Sequence, residues 1–200
     1  MSTQPAWTPA RFAGLGRPLT VAEYLQLDEV EPGRTELAEG RLELSPSPRF
    51  RHSRACSKLW ARLEEQLPGE FVPVEDIDVD LQLAPPEAPG TVRRPDVIIA
   101  RRAATDRVNQ EGEIYHASDV VLAVEVVSPG SRRLDRRIKR DEYADAGIPH
   151  YWIVDLDEPA SLLACHLAGE FGYVDRGAVT GTFRTTEPFP VEVDLGALLD

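Results

Sequence analysis

Apolar residues recur along this chain with two periods, and the switches between them divide it into elements. The stretch 120–127 is apolar at every position except Glu125, and 97–100 is apolar throughout. Such near-continuous runs suit interior strands covered on both faces. Ile77, Val79, Leu81 and Leu83 alternate with Asp78, Asp80 and Gln82, which predicts a half-exposed strand with its acids facing water. Apolar residues at 55, 59, 63 and 67 repeat at helical spacing and predict a helix over about 52–67. Thr20-Val21-Ala22-Glu23 is a capping box that opens a short helix reaching about Leu27. Residues 35–39 and 42–44 alternate around Gly40-Arg41 and read as a hairpin.

The run at 120–127 leads through Ser128-Pro129-Gly130-Ser131 into a helix over about 132–146, which Gly147 closes. A strand over 150–155 follows. A strand–helix–strand unit of this kind predicts a right-handed crossover between parallel strands. Residues 162–167 and 171–175 form a closing hairpin around Gly169, and 191–193 is a last strand before one helical turn. The pattern predicts an α/β fold: a mixed sheet with a strand–helix–strand core and flanking helices. Residues 1–18 read as a loose Pro/Gly-bearing arm and 19–200 as one domain, a size that buries a real core.

Composition narrows the partners. No apolar run approaches the roughly 20 residues needed to cross a bilayer, and the arm has no continuous apolar segment of the secretory kind. The expectation is a cytoplasmic protein without membrane contact. Cys56 and Cys165 lack metal-ligand spacing and read as free buried thiols. The four histidines are scattered and do not suggest zinc. A net charge of −12 argues against nonspecific coating of nucleic acid. Basic residues nevertheless gather at 49–54, at Arg93-Arg94 and at 132–140. A basic rim on an acidic body accepts a polyanion, with Arg94, Arg132 and Arg136 as its phosphate contacts; solvated charged faces fit the same composition.

Of the 22 basic residues only Lys58 and Lys139 are lysine, and Lys139 stands inside the arginine-dense run. Arginine supplies bulk charge as a planar fork; lysine is a compact, titratable point charge, so position 139 is marked as needing an ammonium. On the predicted helix Asp135, Lys139, Glu142, Tyr143 and Ala146 share one arc, while Arg133, Arg136, Arg137 and Arg140 project from the other side. If the helix packs back on its sheet, Lys139 reaches the level of Glu125. A carboxylate on a core strand costs several kcal/mol, on the order of the transfer penalty, unless paired or bound to a cation. Asp96, at the head of the 97–100 run, offers a second carboxylate, and the two acids suit Mg²⁺, with Mn²⁺ as a substitute. Such a cation polarises a phosphoryl oxygen and lowers the pKa of water. A buried Glu125–Lys139 salt bridge serving the fold alone fits the same pattern.

These residues also resemble a known family. Arg94-Pro95-Asp96-Val97, Glu125-Val126-Val127-Ser128-Pro129 and Asp135-x3-Lys139-x3-Tyr143 are similar to the Uma2 family of restriction-endonuclease-like proteins, which have the PD-(D/E)xK nuclease fold. The likeness extends to Thr35-Glu36-Leu37-x2-Gly40, to Ser45-Pro46-Ser47-Pro48 followed by His52, and to Ala146-Gly147 with Tyr151-Trp152-x-Val154-Asp155. The general nuclease motif places its lysine two residues after the glutamate, where this chain has Val127; the resemblance implies that the lysine has moved to the helix, at Lys139. It further implies Asp96 and Glu125 as metal ligands, and the Val126 backbone carbonyl as a third. Glu36 is either a supplementary carboxylate or an arginine partner. His52 either touches phosphate or begins a helix. Asp135 positions Lys139, and Tyr143 either donates a hydrogen bond or packs in the core. The function implied is that of a Mg²⁺-dependent DNA endonuclease, for which a homodimer that cuts both strands is open. RNA or a small phosphodiester would use the same chemistry, and a catalytically quiet binding or accessory module would keep the same fold.

Overall fold

The apolar run Val120–Val127 lies in the middle of a sheet, buried along its whole length. The computed structural model describes residues 17–27, 34–45, 48–128 and 130–199. In chain order the first elements are α1 (Val21–Tyr24), β1 (Arg34–Ala38), β2 (Arg41–Ser45), α2 (Phe50–Glu64), β3 (Phe71–Glu75), β4 (Val79–Asp80) and β5 (Val92–Arg93). Then come β6 (Val97–Arg101), α3 (Arg102–Glu111), β7 (Tyr115–His116), β8 (Val120–Val127) and α4 (Lys139–Asp145). The chain continues with β9 (His150–Asp155), β10 (Ser161–Leu167), β11 (Tyr173–Asp175), β12 (Val179–Thr180), β13 (Thr182–Thr185) and β14 (Val191–Asp194).

The main sheet runs β11-β10-β9-β8-β6-β3, with β12 beside β10. Its β8 and β9 are parallel, with Glu125 opposite Ile153, and β6 lies antiparallel to β8 with Val97 opposite Val124. The parallel pairing of the two strands is as expected. A π-helical stretch, Leu134–Ile138, runs directly into α4 and completes the returning helix. Gly147 ends it in the left-handed conformation (φ 76°), and the Ile148 N–H returns to the Tyr143 carbonyl at 3.0 Å.

Both faces of the main sheet are covered, which is why its central strands carry no polar alternation. On one face α2 lays Ala55, Cys56, Leu59 and Leu63 over Val97, Ile99, Leu122, Val124 and Val126. On the other, Ile98, Ala123, Val127, Tyr151 and Ile153 meet Tyr143, Val79, Leu81 and Tyr115. Glu125 belongs by alternation to this second face. A second sheet, β2-β1-β5-β4-β7, carries the 34–45 hairpin, whose turn places Glu39 (φ 47°) and Gly40 (φ 77°) in left-handed conformations. A Cβ at Gly40 would lie 2.5 Å from that of Pro18 and 2.8 Å from that of Pro89, so only glycine fits this turn.

Several elements differ from expectation. The alternating 77–83 segment forms only the two-residue β4, because Gln82 turns left-handed (φ 53°). Asp78 there pairs with Arg94 instead of facing water. The strand β3 carries Pro73 and is an edge strand, the place where a missing N–H is tolerated. The helix α3 has one buried residue, Ala104, and so leaves no apolar stripe to read. The helix expected at 52–67 runs from Phe50 to Glu64. Most of the 1–18 arm lies outside the described residues, as do Pro46, Ser47 and Pro129 of the motif-bearing turns. No described helix is long and apolar enough to cross a membrane.

Candidate active site

Lys139, Glu125, Glu36 and Tyr143 meet between the two sheets. The Lys139 ammonium lies 2.8 Å from Glu125 Oε1 and 2.9 Å from Glu36 Oε1. All three side chains are nearly inaccessible, and Lys139 is only 5% exposed as a residue. Tyr143, one turn beyond Lys139, donates its hydroxyl to the same Glu125 Oε1 at 2.9 Å while its ring stacks edge-on against Tyr151. It therefore both packs in the core and donates in the site. Each side chain comes from a different local pattern: Glu125 from the central strand, Lys139 and Tyr143 from the i, i+4 face of the returning helix, and Glu36 from β1 of the second sheet.

Asp96 immediately precedes β6, where Pro95 removes a donor from the strand ladder. Its Oδ2 accepts the Val126 N–H at 2.7 Å and lies 3.2 Å from His52 Nε2. Continuing the β6–β8 register places Pro95 opposite Val126. In an antiparallel pair the N–H and C=O of one residue point to the same neighbour, so the Val126 carbonyl also faces the Asp96 side. His52 sits in the first turn of α2 and approaches Asp96 as well, so beginning the helix does not remove it from the site.

Electrostatics inside this cluster are unbalanced. Burial pushes the Glu125 carboxyl well above the usual range; Lys139 opposes this, and the Asp96, Asp135 and Glu36 carboxylates add to it. Asp135, buried one turn before Lys139, is raised to about 6 by burial, against the pull of Lys139 and a hydrogen bond from Ser131. Burial disfavours the Lys139 ammonium, yet Glu125, Glu36 and Asp135 outweigh it and hold its pKa above that of an ordinary lysine. Glu36, despite burial, is held below the usual range by Lys139, Arg93 and the Arg94 N–H. The lysine is thus a fixed cation rather than a proton carrier, and the acids around it exceed the positive charge supplied.

The arginines divide. Arg93 is not part of an outer rim: it is 1% exposed and binds Glu36, Glu43 and, through two bonds of 2.7 Å, Glu142. That keystone was not legible, because a strand arginine beside a second arginine reads as surface charge. The Arg94 guanidinium is held by Asp78 at 2.8 Å. Arg132 and Arg136 both bind Asp155, at the end of β9, and Arg132 also binds Asp157. The Arg136 Nε is buried and lacks a hydrogen-bond partner among the described residues. Cys56, one turn after His52 on α2, is a further neighbour of Asp96 that sequence reading set aside. Its one signal was the i, i+4 spacing from His52.

The sequence profile of the Uma2 family, described as "Putative restriction endonuclease", matches residues 21–194. No curated protein matches the chain. Among solved structures, a "putative nuclease belonging to DUF820" from Anabaena variabilis ATCC 29413 superposes with a TM-score of 0.67 at 18% identity, covering 92% of this chain and all of that one. At that identity the likeness establishes the fold, and the fold is that of the restriction-endonuclease-like proteins.

Proposed function

We propose, from the premise that this chain belongs to the Uma2 family of restriction-endonuclease-like proteins, that it is a metal-dependent hydrolase of phosphodiesters, acting on DNA with Mg²⁺. The observation that carries the reading is the meeting of Lys139 with Glu125 and Glu36 at 2.8 and 2.9 Å, beside an Asp96 fixed by the Val126 N–H. A fold-only salt bridge needs one acid for one lysine. Here several buried carboxylates crowd one ammonium, and the excess negative charge is what a divalent cation would neutralise.

The donors fit a hard ion. Asp96, Glu125 and the Val126 carbonyl are all oxygen ligands, the kind Mg²⁺ and Mn²⁺ take together with water and phosphate. Lys139 and Tyr143 both bind Glu125 Oε1, so Oε2 is the oxygen that Glu125 would turn to a cation. When bound, the ion supplies Lewis-acid polarisation of the phosphate and lowers the pKa of water.

The chain's own side chains do the rest. Lys139, kept protonated by its acids, presents a fixed positive charge to the negative charge that builds on phosphate in the transition state. Tyr143 and Lys139 together fix the Glu125 carboxylate, and the Val126 N–H and His52 fix that of Asp96, so neither acid reorients during reaction. Gly130, Arg132, Arg133, Arg136 and Arg137 line a concave surface of about 480 Å³. The guanidinium groups of Arg132 and Arg136 on that surface would contact phosphate oxygens. Arg94, next to Pro95-Asp96, offers a further phosphate contact through the part of its fork not held by Asp78.

The ligand assignment is tested by calorimetric titration of Mn²⁺ into the wild type and Asp96→Asn. One ion per chain in the wild type, with affinity lost in the variant, supports it. Equal binding in both proteins contradicts it.

A further inference from the structure

Three side chains with softer chemistry than the acid–lysine cluster meet on its α2 side. His52 and Cys56 lie one turn apart on α2 and face Asp96. One imidazole nitrogen, the Cys56 sulfur and one carboxylate oxygen of Asp96 all lie within 4.8 Å of one another. The imidazole lies between the other two: Nδ1 is 3.6 Å from Cys56 Sγ and Nε2 is 3.2 Å from Asp96 Oδ2. The Cys56 and Asp96 residues are 7% and 8% exposed, whereas the His52 side chain, at 14%, reaches the solvent edge and gives an ion a way in.

We propose that His52, Cys56 and Asp96 form a binding site for a borderline-soft divalent transition ion of the Zn²⁺ type, which shares Asp96 with the oxygen-ligand site at Asp96, Glu125 and Val126 but differs from it in its other ligands. The donor set decides the class of ion. Sulfur, imidazole and carboxylate together suit Zn²⁺ or Co²⁺, while Mg²⁺ takes oxygen and does not compete for a thiolate. Three protein ligands leave a fourth tetrahedral position for water or an exogenous group. Ligand atoms around tetrahedral zinc stand roughly 3.5 Å apart given its usual bond lengths, so the trio, within 4.8 Å, would draw together and the His52 ring would turn one nitrogen toward both partners to bind an ion. Binding releases the Cys56 thiol proton to solvent, and the Val126 N–H that holds Asp96 acts as the outer partner orienting a ligand. Asp96 would belong to both sites, so an ion held by His52 and Cys56 draws it away from Glu125.

The test loads the full chain with Co²⁺ or, separately, with Zn²⁺, and its readout is spectroscopic rather than catalytic, so it stands or falls separately from the hydrolase reading. Wild type should take up one Co²⁺ with a sulfur-to-cobalt charge-transfer band in the near ultraviolet. Cys56→Ser should lose the band and bind Co²⁺ about a hundredfold more weakly, at least the effect of losing an outer partner; Cys165→Ser should retain both. Zinc-edge X-ray absorption of the wild type, which needs no variant to fold, should show one sulfur at about 2.3 Å. Absence of sulfur from the ion's shell, or a band unchanged in Cys56→Ser, overturns the site.

Discussion

Glu36 and Lys139 come from different layers of the fold and lie 2.9 Å apart in its interior. The hairpin of the second sheet thereby supplies a carboxylate to the helix of the main sheet, and the same carboxylate binds Arg93 at 3.1 Å. Removing Lys139 strands Glu36 and Glu125 together. Lys139→Met, which keeps the bulk, should destabilise the protein by about 3–5 kcal/mol, the usual result of breaking a buried pair from one side. Adding Glu125→Gln should restore part of the loss. Urea unfolding of the single and double variants measures this, and a loss within about 0.5 kcal/mol, the range of surface substitutions, would mean that water reaches the cluster.

Tyr143→Phe tests the hydroxyl separately from the ring. Packing against Tyr151 is kept, and one donor to Glu125 is lost. The expected cost is about 1 kcal/mol, that of one buried hydrogen bond. A change indistinguishable from zero would show that Lys139 alone satisfies Glu125 Oε1.

Asp135 gives the cluster a pH signature. Its carboxyl is raised from 3.8 to about 6 in the folded state by burial, in spite of Lys139 and Ser131. A folded-state acid with a raised pKa binds its proton more tightly than the unfolded chain does, so stability falls as pH rises from about 4 to about 6. The contribution is about 3 kcal/mol at most. Asp135→Asn should remove that fall, leaving the variant more stable than wild type at pH 7 and similar at pH 4. Urea unfolding across this range checks the sign, and a variant less stable at pH 7 contradicts it.

Gly40→Ala should be much worse than Gly112→Ala. Both glycines are left-handed, at φ 77° and 69°. A Cβ at Gly40 meets Pro18 and Pro89, while one at Gly112 meets nothing within 4 Å. Gly112→Ala should cost about 1 kcal/mol from backbone strain alone, and Gly40→Ala more by a further 1–3 kcal/mol, the range of overpacking. Equal thermal shifts in the two variants would mean that the hairpin holding Glu36 is not pinned there.

How far the sequence carried depended on whether a residue's role left a local trace. Glu125 was legible because a lone acid in an apolar run has no cheap solution. Lys139 was legible because the helical arc placed it with Asp135 and Tyr143, away from the arginines. Arg93 was not, since its burial depends on acids from β1, β2 and α4 that no local pattern joins to it. The trio of His52, Cys56 and Asp96 was hidden for the same reason: it forms only when α2 packs across the start of β6. The edge strand with Pro73 and the polar helix α3 escaped because neither shows the period of its element.

Metal-dependent hydrolysis is read most plainly from DNA cleavage by wild type, Glu125→Gln and Lys139→Met, each verified as folded, with Mg²⁺, with Mn²⁺ and with EDTA. Wild type should cleave with either ion and not with EDTA, and both variants should lose at least about a hundredfold, on the scale of removing one transition-state stabiliser. Cleavage that persists in EDTA, or that is equal in all three proteins, would rule out metal-dependent hydrolysis at this site.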